Sequence, residues 1–205
     1  MSPPSERATI LAKIVNEAER LGATEAKAIS PSEIVVDERV RLKCIAPLCS
    51  AYGRNLMCPP NLPSVSEVRE LLSRYRRAVI VQLESSFDSS DRSDEALTNE
   101  LCRRMERETG SSKWQIELHK IVTRLESLAF KEGCYLAVGL VGGECVLCET
   151  CVAAEGGREC RHPFEARPSM EAMAIDVVET CRRAGLPLEL SSKQKVRWTG
   201  LVLLD

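Results

Sequence analysis

Ala78-Val-Ile-Val-Gln-Leu83 is an almost unbroken apolar run, rich in β-branched residues, and reads as a strand buried on both faces. Cys134-Tyr-Leu-Ala-Val-Gly-Leu-Val141 has the same character. Between the two runs the apolar pattern turns helical near 95–109 and again over 113–132. In the second stretch Leu118, Ile121, Val122, Leu125, Leu128 and Ala129 fall on one face. Strand, helices, strand predicts a crossover and a parallel pairing of the two strands. The expected fold is α/β: a single domain over residues 1–205, with a mixed, partly parallel sheet flanked by helices and two cysteine-rich cluster-binding loops.

Outward from this centre the elements are shorter. Ile10, Leu11, Ile14, Ala18 and Leu21 give residues 5–21 one apolar helical face, stopped by Gly22. Glu33–Asp37 and Val40–Lys43 cluster β-branched residues and predict strands. Residues 44–63 hold three cysteines with Pro59, Pro60 and Pro63, and read as a loop. Ser64 and Glu67 form a capping-box pair for a helix running to about residue 76. Ser85 to Asp94 is a polar, serine-rich loop. Ser169 is a candidate cap for a helix over 170–184, whose face is Met170, Ala174, Val177, Val178 and Cys181, ended by Gly185 and Pro187. Pro187–Leu190 and Gly200–Leu204 read as closing strands.

The 205 residues are 44% hydrophobic but only 4% aromatic, so aliphatic side chains must form the core. Lys and Arg number 28 against 30 Asp and Glu, a balance that indicates neither nucleic acid nor an anionic membrane as partner. The polar start Met1-Ser-Pro-Pro-Ser-Glu-Arg7 is unlike a signal peptide, and no apolar run nears the roughly 18 residues of a membrane span. The expected compartment is the cytoplasm, where thiols stay reduced. Ten cysteines then read as metal ligands rather than disulfides.

Cys145-x2-Cys148-x2-Cys151 is the most specific signal. Thiolates three residues apart in a tight turn can reach neighbouring irons of one cubane, and bacterial ferredoxins share the spacing. Here the fourth cysteine, Cys160, is displaced, and proline follows only at Pro163. Gly142-Gly143 and Gly156-Gly157 allow close backbone approach to a bulky ligand. Arg158, Arg161, His162 and Arg167 add positive charge nearby. Structural zinc, also a four-thiolate site, is the competing assignment.

Cys44-x4-Cys49-x8-Cys58-Pro-Pro could hold three corners of another cluster, leaving one iron for a substrate, a distant residue or Cys160. Alternatively these cysteines pack as small hydrophobes. Cofactors on this reading are one or two [4Fe–4S] clusters, or zinc. Within the first loop Arg54 and Asn55 could bind an anion or hydrogen-bond cluster sulfide.

Cys49-Ser-Ala-Tyr-Gly-Arg-Asn-Leu-Met-Cys-Pro-Pro60, the triple-cysteine loop and Cys160-Arg-His-Pro163 with Arg167-Pro-Ser-Met-Glu-Ala172 occur together in one order. In these motifs the chain resembles the predicted metal-binding family named domain of unknown function 2284 (DUF2284). The resemblance runs from about Cys44 to Leu204 and implies a metal-ligand role for Cys44, Cys49, Cys58, Cys145, Cys148, Cys151 and Cys160. It also suggests anaerobic redox metabolism.

Other candidates have simpler explanations. Cys102, Cys134 and Cys181 are expected in the core. His162 could ligate, donate to a cluster sulfur or carry a proton, or simply bond the backbone, whereas His119 is expected on a solvated helix face. Lys193, Lys195, Arg197 and Trp198 form one short basic-aromatic patch, too little for a nucleic-acid site. Three functions follow: electron transfer or redox chemistry with a partner protein, an enzyme binding a small molecule at an open iron, or a zinc-stabilised binding module. Self-association is open.

Overall fold

Four strands form one sheet in a computed structural model that describes residues 4–46, 48–86, 111–186, 188 and 195–205. They are β1 (Glu25–Ile29), β2 (Arg77–Ser86), β3 (Val138–Leu140) and β4 (Lys195–Leu204), in the order β1-β2-β4-β3, and every pairing is antiparallel. Among the described residues the α-helices are α1 (Pro4–Arg20), α2 (Glu38–Ile45), α3 (Val65–Arg74), α4 (Ser111–Lys131) and α5 (Val177–Ala184).

The expected parallel pairing is corrected by this order. β2 and β3 do run the same way, since both are antiparallel to β4, but β4 lies between them. The crossover through α4 skips a place in the sheet, and the last strand of the chain fills it. β4 pairs with β2 along ten residues, Arg77↔Leu204 to Ser86↔Lys195. Pleating sends alternate side chains to opposite faces. Val79, Val81, Leu83, Val202 and Leu204 pack with Ile14 and Ala18 of α1 and with Leu118, Val122 and Leu125 of α4. Ala78, Ile80, Leu201 and Leu203 pack on the other face with Val68 and Leu72 of α3 and Cys181 and Ala184 of α5. Each fully buried Val, Leu or Ile contributes about 1.5–3 kcal/mol, so this two-faced strand pair anchors both layers.

Several local expectations hold. α1 stops before Gly22, which has positive φ, and α3 carries both halves of the Ser64–Glu67 capping box. Others fail for identifiable reasons. Val40–Lys43 lies in α2, because the Asp37 side chain accepts from the Arg39 amide and starts a helix. Cys44 is therefore on the last turn of a helix, not in a loop. Only Val138–Leu140 of the 134–141 run is strand; Cys134 to Ala137 turn after α4. The helix expected from residue 170 begins at Val177, capped by the Asp176 carboxylate on the Glu179 amide. Ser169 instead accepts from the Ala172 amide and closes a tight turn. The loop and helix expected over 87–109, with Cys102, and nearly all of the 187–190 strand lie outside the described residues. Among the described residues, no helix is long and apolar enough to cross a membrane.

Candidate metal centre

The seven motif cysteines surround two cavities. Cys44, Cys49 and Cys58 line one of about 150 Å³, together with Tyr52, Gly143, Glu144, Ser169 and Glu171. Cys145, Cys148, Cys151 and Cys160 line another of about 20 Å³, with Asn55, Leu56, Met57, Leu147 and His162. The displaced Cys160 thus joins the triplet and not the first group. Among the described residues, the thiols and their neighbours do not converge into a three-ligand point for a single metal ion; they stand around the cavity walls.

The cavities share structure. Asn55–Met57 walls the four-cysteine site while Cys58, next in sequence, lines the three-cysteine site. Glu144 and Cys145 are divided in the same way. Asn55 is buried; its Nδ2 donates to the Cys145 carbonyl at 2.9 Å and its Oδ1 accepts from the Met57 amide at 2.9 Å. The Leu56 amide donates to Cys151 Sγ at 3.5 Å. One cysteine loop therefore supplies the other's hydrogen bonds.

Two further amides point at sulfur. His162 N–H donates to Cys160 Sγ at 3.3 Å, and Leu147 N–H donates to the Cys145 thiol. Burial raises the Cys145 thiol pKa, and the Leu147 hydrogen bond opposes that rise. In the three-cysteine site burial pushes Cys58 up to about 12, helped by the neighbouring Glu144 carboxylate and the Cys49, Cys44 and Cys145 thiols. Cys44 is raised by burial and by Cys49, while Arg41 acts in the opposite direction. Thiols of this kind are protonated at neutral pH until a cation displaces the proton.

Close packing holds the second loop against the sheet. A Cβ on Gly142 would come 2.8 Å from the Thr199 carbonyl, and one on Gly143 2.5 Å from Gln115 Nε2. Gly142 is thus demanded sterically, by backbone, and Gly143 conformationally, by its φ of +73. In the first site Arg41 of α2 ties Cys44 to the far loop, donating to the Ala172 carbonyl at 2.9 Å and the Pro63 carbonyl at 2.7 Å.

The other sequence candidates divide. Arg54 is exposed and lines neither cavity. Arg161 is exposed and donates to the Thr150 carbonyl, so it braces the loop. His162 lines the four-cysteine cavity, with its Nδ1 3.6 Å from Glu165. Arg167 is committed to Glu126 through two bonds of 2.8 and 2.7 Å and is not available to the thiols. His119 is buried rather than solvated: Nδ1 meets the Gln115 carbonyl, Nε2 has no partner, and burial lowers its pKa. Cys134 and Cys181 are core residues, as expected. In the basic-aromatic patch, Arg197 pairs with Glu84 at 3.0 Å and Trp198 packs on the α1–α4 core.

Sequence reasoning gave no ligand role to two carboxylates of the three-cysteine cavity, Glu144 and Glu171. Glu144 could have been found as the acid between Gly143 and Cys145. Glu171 stands in the 167–172 motif beside an expected helix start, but only the folding-back of 168–176 brings it to the cavity. A family model described as a predicted metal-binding protein, DUF2284, matches residues 27–204.

The chain belongs to the DUF2284 family.

The DUF2284 match takes in all seven cysteines and both cavities. No curated protein and no solved structure matches the chain.

Proposed function

We propose that this DUF2284 protein is an iron–sulfur protein that moves single electrons, with Cys145, Cys148, Cys151 and Cys160 holding one [4Fe–4S] cluster and Cys44, Cys49 and Cys58 holding three corners of a second. The observation that carries the reading is the four-cysteine cavity with backbone amides aimed at three of its sulfurs. A cubane spreads its thiolates over separate irons, so it suits cysteines set around a cavity. Zinc draws four thiolates to one centre at about 2.3 Å. A bound cluster supplies reversible one-electron storage.

The chain's own residues set the conditions for that storage. The Leu56, Leu147 and His162 amides stabilise thiolate charge and so favour the more reduced, more negative state. Asn55 fixes the spacing between the two loops, and with it the electron path between sites. The greater volume of the three-cysteine cavity favours a second role, binding a small molecule where cysteines leave an iron uncovered.

The test is anaerobic purification followed by metal and sulfide analysis with visible spectroscopy. Brown protein with iron and acid-labile sulfide in equal amounts is expected. Colourless protein with stoichiometric zinc and no sulfide would overturn the reading in favour of a zinc-stabilised module.

A further inference from the structure

Glu171 is an unusual neighbour for three thiols. Its side chain lines the three-cysteine cavity, yet Oε2 is shut off from water and has no hydrogen-bond partner. The Ser169 hydroxyl, the Gly143 amide and its own amide lower the carboxyl's pKa, yet none of them reaches Oε2 within hydrogen-bond distance. Burial raises its pKa above the ordinary carboxylate value, and the positive charge of Lys43 only partly offsets that. A buried anion without a counter-charge is strongly unfavourable unless it keeps a proton or meets a cation.

The backbone holds Glu171 firmly in this place. Met170 N–H donates to the Val141 carbonyl and Val141 N–H to the Pro168 carbonyl. Ile175 N–H closes on the Met170 carbonyl, Ala174 N–H on that of Glu171, and Arg41 clamps the Ala172 carbonyl. Met170 and Ala172 on either side are buried in apolar surroundings. Such fixation is what a ligand requires and what a solvated surface acid lacks. Glu144 also lines the cavity, but it is already engaged.

We propose that Glu171 is the fourth protein ligand of the three-cysteine site, through Oε2. This inference rests on the iron–sulfur reading and completes it: the iron that no cysteine covers has a carboxylate. An oxygen ligand is harder and more labile on such an iron than a thiolate, so this corner is the exchangeable one.

Two substitutions separate ligation from mere hydrogen bonding. Glu171→Gln keeps the shape and the accepting oxygen but loses the anionic ligand. Glu171→Cys supplies an anionic ligand but loses the matched oxygen. Wild type and both variants are loaded anaerobically with iron-57 and sulfide, exposed to a chelator, and read by Mössbauer and electron paramagnetic resonance spectroscopy. The four-cysteine cluster in the same chain reports whether each variant is folded. In Glu171→Gln the first site should lose about one iron in four and show a three-iron signal. Glu171→Cys should keep all four with an all-thiolate spectrum. Glu171→Gln behaving as wild type, or Glu171→Cys retaining no more iron than Glu171→Gln, overturns the proposal. Wild type that holds metal without sulfide sinks the iron–sulfur reading instead. The same retention comparison then decides Glu171 on the metal that is held.

Discussion

The four-cysteine and three-cysteine cavities lie against one another and differ in almost every respect that matters for chemistry. The first is about 20 Å³, closed by thiols and by amides that donate to sulfur. The second is about 150 Å³, has one thiol fewer, and brings carboxylates instead of amides to its wall. On the proposed iron–sulfur reading, a complete thiolate set with hydrogen-bonded sulfurs suits charge storage without a change of ligands. On the same reading, a site short of one thiolate, with more room, suits a corner that can exchange. The same chain segment makes both: Asn55–Met57 faces one cavity and Cys58 the other.

The contrast is tested most severely by removing one cysteine from each side. Cys58→Ala should abolish the three-cysteine cluster, removing about half of the iron and sulfide, and leave the spectrum of the other cluster intact. Cys151→Ala should do the converse. Loss of both clusters from either substitution would mean that the sites are one. Asn55→Leu should be nearly as damaging but symmetric. It leaves the Cys145 carbonyl and Met57 amide unpaired, at about 1–3 kcal/mol for each buried group, and both signals should weaken together. Denaturant unfolding with spectra at each step measures both effects.

Alkaline pH should divide the metal-free from the loaded protein. Cys58 stands at about 12 in the folded chain against an ordinary 9.0. A raised value means the folded state holds the proton longer than the unfolded one. The stability it contributes is present below pH about 9 and lost as pH rises from there to about 12. Metal-free protein should therefore lose melting temperature steeply in that window. Loaded protein, whose thiolates are already ionised, should not, and Cys58→Ala should flatten the metal-free curve. The smallest effect belongs to Asp37→Ala, which uncaps α2 and should lower the melting temperature slightly. Iron retention should fall slightly at the three-cysteine site, through Cys44, and not at the other.

Legibility followed the range of the interactions. The α3 capping box, the α1 and α4 faces and the buried β2 run are written in neighbouring residues, and all were readable. The place of β4 was not, because strand order depends on which strand fills the gap between β2 and β3, a contact some 60 or more residues away in the chain. Val40–Lys43 misled because β-branched composition competed with the Asp37 cap, and the cap prevailed. His119 was misplaced because the polar side of α4 near Gln115 is covered by the second cysteine loop, which helical periodicity alone does not show. For the site, cysteine spacing singled out seven thiols in two groups, which line two cavities, while spacing alone left open which group Cys160 joins. Cys160 joins the triplet through space, and Glu171 enters the other cavity only through the fold of 168–176.

Anomalous diffraction at the iron edge, from crystals grown without oxygen, tests the central claim most directly. Two peaks are predicted: one enclosed by Cys145, Cys148, Cys151 and Cys160, the other by Cys44, Cys49, Cys58 and the Glu171 carboxylate. A single peak bridging both cysteine groups, or a signal at the zinc edge and none at the iron edge, would contradict the account.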